Sequence, residues 1–144
     1  MKLGFAACAL ALMLAGCATQ NAAGISSYQV VSPDRVTGPI GEPPASETAG
    51  TIIVKRDPGM LGAALSSVLL VNGKPVALIK PGEYLQFRTL PGEHIFGVSW
   101  SDNLDSVATS STRELAVDVR AGQTYYLRLF PQSGNGVAIE RSSQ

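Results

Sequence analysis

The chain has 144 residues, two cysteines, one histidine and a formal net charge of zero at pH 7. No basic block exceeds Lys55-Arg56, which gives no footing for nucleic acid, a partner gripped through clustered lysine and arginine. A lone histidine also leaves any imidazole-based metal site or proton relay with one member.

The first element is an apolar run, Leu3 to Leu14, preceded by Lys2 and closed by Leu14-Ala15-Gly16-Cys17. It is shorter than the ~20 apolar residues of a membrane-spanning helix and has the order of an export signal. It resembles bacterial lipoprotein signals, in which two small residues precede a cysteine that receives a diacylglycerol and, on its freed amine, another acyl chain. That resemblance implies a signal peptide over residues 1–16, removed on processing, and lipid attachment at Cys17. Cys8 is the rival acceptor but follows Phe5-Ala6-Ala7, with an aromatic where a branched aliphatic is wanted. An ordinary cleaved secretory peptide is the alternative. Two or three acyl chains at about 0.8 kcal/mol per buried methylene make a lasting membrane anchor. The residue after Cys17 is Ala18 rather than Asp, which by the same resemblance points to the periplasmic leaflet of the outer membrane. With Cys8 removed and Cys17 acylated, no thiol remains for a disulfide, a metal or a nucleophile.

Residues 18–49 are dominated by Ala, Ser, Thr, Gly and Pro, with Pro33, Pro39, Pro43 and Pro44 spread through them. The expectation over 17–49 is a lipidated cysteine and a flexible tether with a root-mean-square span of about 30 Å. The alternative is that Tyr28 to Val31 adds an edge strand to the domain.

Residues 50–144 change character, with short runs rich in Val, Ile, Leu and Tyr divided by Gly and Pro. Strands are expected over Thr51–Arg56, Val68–Val71, Val76–Ile79, Glu83–Leu90, His94–Trp100, Arg113–Val119 and Thr124–Phe130, with Val137–Glu140 as an edge. Asn72-Gly73-Lys74 is a hairpin signal, and Pro81-Gly82 and Pro91-Gly92 favour type II turns. Leu115, Val117 and Val119 alternate with Glu114 and Asp118. Tyr125, Leu127 and Leu129 make a second inward row, and Phe96, Val98 and Trp100 a third. One-sided alternation argues for antiparallel pairing. The fold expected is an all-β, antiparallel β-sandwich of seven to eight strands. Only Pro58 to Leu70 could hold a short helix, weakened by Gly59 and Gly62.

The stretch Val68 to Trp100, with Val119 to Phe130, resembles small bacterial lipoprotein domains known only as domains of unknown function. Their pattern is an opening strand ending in arginine, a "dGk-x-v" hairpin, a Gly-x-Tyr strand, a "pPGxH" turn and an "aGxtyYlr" strand. Arg56, Asn72-Gly73-Lys74, Gly82-Glu83-Tyr84, Pro91-Gly92-Glu93-His94 and Ala121 to Arg128 fit those places. A more distant similarity is to PEGA-type modules, from which Pro81 to Leu90 departs. Both resemblances imply a transthyretin-like or immunoglobulin-like sandwich, and neither brings a catalytic residue or a cofactor.

No catalytic constellation is legible. His94 follows a Pro-Gly-Glu turn and could serve Ser99 or Ser101 as a base. No nucleophile motif surrounds either serine, so the expectation is a ring packed at the sheet's end and bonded to a turn carbonyl. Asp102, Asn103 and Asp105 read as a solvated loop rather than a calcium site. Glu83 and Glu93 read as turn-flanking surface charges, and Gly134-Asn135-Gly136 as a turn. One surface patch stands out: Tyr126 and Phe130, with Arg128 between them, share the face opposite Leu127. The expectation is a non-enzymatic, lipid-anchored envelope module, without cofactor or metal, that binds another envelope protein through Tyr126, Arg128 and Phe130. A glycan- or peptidoglycan-binding role is the alternative.

Overall fold

The computed structural model describes residues 24–38, 40, 48–59, 64–107, 113–133 and 136–143. Two sheets face each other. One has five strands in the order β1-β5-β2-β8-β9: Gln29–Val30, Glu83–Thr89, Gly50–Arg56, Thr124–Gln132 and Gly136–Ser142. The other has four in the order β4-β3-β6-β7: Lys74–Ile79, Ser67–Val71, Gly92–Trp100 and Arg113–Val119. The protein is an all-β sandwich. Among the described residues there are nine strands where seven or eight antiparallel ones were expected, with parallel ladders between β1 and β5 and between β2 and β8.

The alternation read from the sequence is the alternation that packs. Ile52 and Val54, Leu69, Phe96 and Val98, Val117 and Val119, and Leu127 and Leu129 meet between the sheets with at most 1% exposure. Trp100, Leu115 and Tyr125 lie at the margin of this core. Neighbours in sequence do not always pair, however. β7 and β8, joined by Arg120-Ala121-Gly122-Gln123, belong to opposite sheets, so their apolar rows face each other across the core. The turn is an arch, closed by Gln123 N–H on the Arg120 carbonyl (3.2 Å) with Gly122 at φ 69°. Strand β8 then aligns parallel to β2, because the arch returns it to the first sheet.

The β3–β4 hairpin turns on Asn72 at φ 50° and Gly73 at φ 77°, the two left-handed residues a type I′ turn demands. Pro81-Gly82 makes the expected type II turn, with Glu83 N–H on the Lys80 carbonyl at 3.1 Å. Pro91-Gly92 does not. Gly92 has φ 131° and already starts β6, and the Leu90 carbonyl, which such a turn would bond to Glu93, meets His94 Nε2 at 2.9 Å. The short helix expected between Pro58 and Leu70 falls partly outside the described residues, and β3 begins at Ser67.

Within the segment expected as a tether, the stated alternative is the one seen: Tyr28 to Val31 adds an edge strand, β1, to the first sheet. Residues 28–37 strap the open side between β5 and β4. β1 extends the first sheet, with Gln29 N–H on the Gly82 carbonyl and Val31 N–H on the Tyr84 carbonyl, both 2.9 Å. Val31, 2% exposed, enters the core. The chain then crosses to the second sheet, where Val36 bridges Ala77 and Thr37 N–H reaches the Val76 carbonyl at 2.8 Å. Arg35 fastens the crossing. Its Nη1 donates to the Leu78 carbonyl (3.0 Å) and Glu83 Oε2 (2.8 Å), and its Nη2 to Glu83 Oε1 (2.6 Å). Glu83 is therefore a buried clamp and not the surface charge expected. On the far side, β9 comes close to β6 and β7.

Burial alone raises the Glu83 carboxyl's pKa, but the Arg35 hydrogen bonds, the Lys80 N–H and the charges of Arg35 and Lys80 outweigh it and hold it below the usual 4.5. A carboxyl with a depressed folded pKa stabilises the fold above its unfolded value and loses that contribution as pH falls through the folded one. Glu83→Gln should cost about 1–3 kcal/mol at pH 7. In urea melts, the gap to the parent should close as pH drops from 5 toward 3, and a gap independent of pH would contradict the assignment. Gly50 gives a second expectation. A Cβ there would overlap Val119 Cγ1 and come within 2.9 Å of the Arg120 carbonyl, so Gly50→Ala should destabilise by about 1–3 kcal/mol, readable as a lower urea midpoint at unchanged slope.

Candidate functional site

The outer face of the five-stranded sheet is built by the register of β2, β5, β8 and β9. Because Leu127 and Leu129 point inward, Tyr126, Arg128 and Phe130 point out, all three half-buried. Cross-strand pairing sets them in rows. Tyr126 lies between Ile53 and Ser142, and Arg128 between Lys55 and Glu140, with Tyr84 and then Val30 beyond Lys55. Phe130 pairs with Ala138. The structure thus brings the three expected face residues together on one strand, two residues apart and so about 7 Å from one to the next.

Arg128 is the centre of this face and is fully engaged. Its Nε donates to Asp57 Oδ2 at 2.7 Å, its Nη2 to the same oxygen, and its Nη1 to Glu140 Oε1 at 3.0 Å. The guanidinium carbon stands 5.0 Å from the Phe130 ring centre, a cation–π contact that fixes the ring over it. Hydrogen bonds from Arg128 to Asp57 come first in raising its pKa, and burial opposes them. The Asp57 side chain is wholly buried. Its Oδ1 faces the Tyr28 hydroxyl at 3.5 Å, and its backbone N–H donates to the Leu129 carbonyl at 3.0 Å. Lys55, 2% exposed, holds its Nζ 5.9 Å from the Tyr28 ring. The arrangement is a stiff plate in which Arg128 is held by two carboxylates and a ring, Ile53 and Lys55 are buried, and Tyr126 and Phe130 are partly buried.

Asp57, Glu140, Lys55 and Tyr28 were not singled out from sequence. Asp57 stands in an Asp-Pro-Gly turn where an acid is unremarkable, and Tyr28 entered only as the start of the alternative edge strand Tyr28 to Val31 within the expected tether. Only Glu140 had a signal, as the outward position of an alternating Val137-Ala138-Ile139-Glu140. Cys17, and Gly134-Asn135 of the expected turn, lie outside the described residues.

The other residues weighed for chemistry stay apart. His94 and Ser99 are five residues apart on the same strand, about 16 Å. The His94 ring is committed to the Leu90 carbonyl through Nε2 and to Asn72 Nδ2 through Nδ1 (3.3 Å), so Nε2 carries the proton. Glu93 is exposed and sits at the opposite end of the sandwich from Glu83. In the Asp102–Asp105 loop, Asn103 Oδ1 accepts Asp105 N–H at 2.9 Å. No group of three or more His, Cys, Asp or Glu among the described residues could hold a metal ion. No described helix is long and apolar enough to cross a membrane.

A second buried charge lies inside the sandwich. Arg56, 1% exposed, donates from Nη1 to Ser67 Oγ (2.7 Å) and the Ile79 carbonyl (3.2 Å), with its guanidinium 4.7 Å from the Trp100 ring centre. Burial lowers its pKa to about 10, with the charge of Glu83 opposing. It stays protonated at neutral pH and is structural, closing one end of the core.

No protein-family model matches the chain, and no curated protein matches it significantly.

Asp57→Asn removes the charge that orders Arg128. It should lower stability by about 1–3 kcal/mol and free the guanidinium to move, seen as loss of a single Arg128 side-chain NMR signal in slow exchange. A variant that keeps both stability and that signal would place the ordering elsewhere.

Proposed function

We propose that this protein is a non-enzymatic module of the bacterial cell envelope, held to the membrane by lipid on Cys17, that binds another envelope protein through the outer face of its five-stranded sheet. One observation carries the reading: Tyr126 and Phe130 are only partly buried, on either side of an arginine that two carboxylates and a ring hold still. Rigid aromatics around a fixed arginine are the composition of interface hot spots, since little side-chain entropy is lost when a partner docks. Those carboxylates also neutralise the arginine, which favours a mixed aromatic and polar protein surface over a free anion. The lipoprotein-type signal and the resemblance to small lipoprotein domains support the anchor.

The strap alters how such a module sits. Seven positions separate Cys17 from Gly24, a reach of at most about 25 Å. A lipid at Cys17 therefore keeps the sandwich close to the bilayer, with the Asp57 and Gly82 end nearest it. Partners are sought within the same leaflet or just above it.

In vivo crosslinking of the tagged chain in its host, followed by mass spectrometry, tests this. One abundant protein should be recovered, and should be lost both in Cys17→Ala and in the Tyr126→Ala/Phe130→Ala double variant, whose thermal melt stays within a few degrees. Undiminished recovery by the double variant overturns the assigned face. Recovery of no protein, with aromatic-dependent sedimentation on purified sacculi, would replace the protein partner with glycan.

A further inference from the structure

We infer that the cavity at the Leu90 end of the sandwich binds a single-chain amphiphile with an anionic head, of the long-chain fatty acid kind. The inference is independent of the face discussed above, which lies on the outside of a different part of the sheet.

The strap's backbone contacts with β4 reach Thr37, and Ile40 packs against the core beyond them. Beside Ile40 lies a cavity of about 530 Å³, within the ~300–1,000 Å³ of small-molecule sites. Its walls are Ile40, Val71, Val76, Phe87 and Leu90. Val76 and Phe87 are core residues, each 5% exposed, so the cavity reaches the hydrophobic interior and is more than a surface dent. Leu90 stands at its mouth, 54% exposed. An isolated exposed leucine is ordinary, but one that continues an apolar wall outward lengthens the surface available to an extended chain.

Lys74, exposed on the hairpin, borders the cavity, and no Asp or Glu occurs among its described lining residues. An apolar cavity bordered by an exposed lysine complements a hydrocarbon tail with a negative head.

The walls are also pre-set. Asn72 ties the hairpin to β6 through N–H on the Ile95 carbonyl (2.7 Å) and Oδ1 on the Ile95 N–H (2.9 Å), and His94 Nε2 holds the Leu90 carbonyl at 2.9 Å. Hairpin and Leu90 wall are thereby fixed to the same strand. A ligand meets a formed cavity and does not have to order one. His94, with both ring nitrogens engaged, contributes shape and no proton transfer.

The test uses the full chain reconstituted into phosphatidylcholine vesicles with a photoreactive palmitate, crosslinked by light and mapped by mass spectrometry. Crosslinks should concentrate on peptides containing Val71–Val76 and Phe87–His94. Their yield should fall about tenfold in Leu90→Asp, as the loss of one leucine's apolar contact implies, and about threefold in Lys74→Glu and with the matching photoreactive alcohol. Both substituted side chains are exposed, so the fold is kept, and an unchanged melt for Lys74→Glu verifies this. Absence of crosslinks on these peptides, or equal yield in Leu90→Asp, overturns the site. Equal yield from the alcohol overturns the anionic head.

Discussion

The Arg35–Glu83 pair is the fastening on which the rest of the sandwich depends. Two sheets joined mostly by arches leave a long open side between β4 and β5, where core residues such as Ala77 and Leu85 would meet water. The strap covers that side, yet a segment with only two strand residues has few backbone bonds to hold it. Arg35 supplies what the ladder lacks. One guanidinium grips Leu78 in one sheet and Glu83 in the other, so the crossing is fixed to both layers at once. Glu83 in turn accepts Lys80 N–H at 2.8 Å, which ties the same carboxylate to the turn entering β5. Loss of the pair would release the strap, withdraw Val31 from the core and leave a charge in a half-dry site, where its desolvation is no longer offset.

Among the described residues, buried charge gathers at one end of the sandwich. Arg56, Glu83 and Arg35 cluster where β2 ends and β5 begins, with Ser67, the Ile79 carbonyl and the Trp100 ring around Arg56. Placing a guanidinium between sheets is expensive, and its lowered pKa records that cost. Carbonyl and hydroxyl acceptors and a facing aromatic ring offset it. At the opposite end, beside the cavity that Leu90 lines, the Asn72 amide and the His94 ring tie the hairpin and the Leu90 turn to β6. This asymmetry follows from the strand ends themselves. The "R-D-P-G" exit of β2 brings charge to one end, and the "N-G" and "L-P-G" turns bring apolar and neutral residues to the other.

The sequence made the strands and their inward faces legible, because alternation is written in single residues: Leu115, Val117 and Val119 against Glu114 and Asp118, and Leu127 and Leu129 against Tyr126 and Arg128. The outward placing of Tyr126, Arg128 and Phe130 followed from the same rule. What was not legible depended on pairing at long range. An arch and a hairpin use similar turn residues, so Arg120-Ala121-Gly122-Gln123 gave no sign that β7 and β8 part to different sheets. Of the strap, only the edge strand at Tyr28 to Val31 was legible, as an alternative; its crossing to the second sheet was hidden for a related reason. Its hold comes from one arginine 48 residues from its carboxylate and from a single inward valine, and neither leaves a period in the chain. Asp57 was equally silent, since an aspartate before Pro-Gly looks like turn chemistry whether or not it also anchors an arginine 71 residues on.

The same Asp57 links the architecture to the exposed face. It leaves β2 at the charged end, is wholly buried, and turns its carboxylate outward to Arg128 while the Tyr28 hydroxyl approaches its other oxygen. Tyr28 is the residue that leads into the strap. The face that carries Phe130 is therefore coupled, through one carboxylate and one phenol, to the segment that holds the sheets together. Moving Arg128 would strand Asp57 without its counter-charge, so the face is fixed in shape. Under the proposed function, recognition would therefore work by shape: a partner would have to fit the rings as they stand, with no mobile charge reaching out to it.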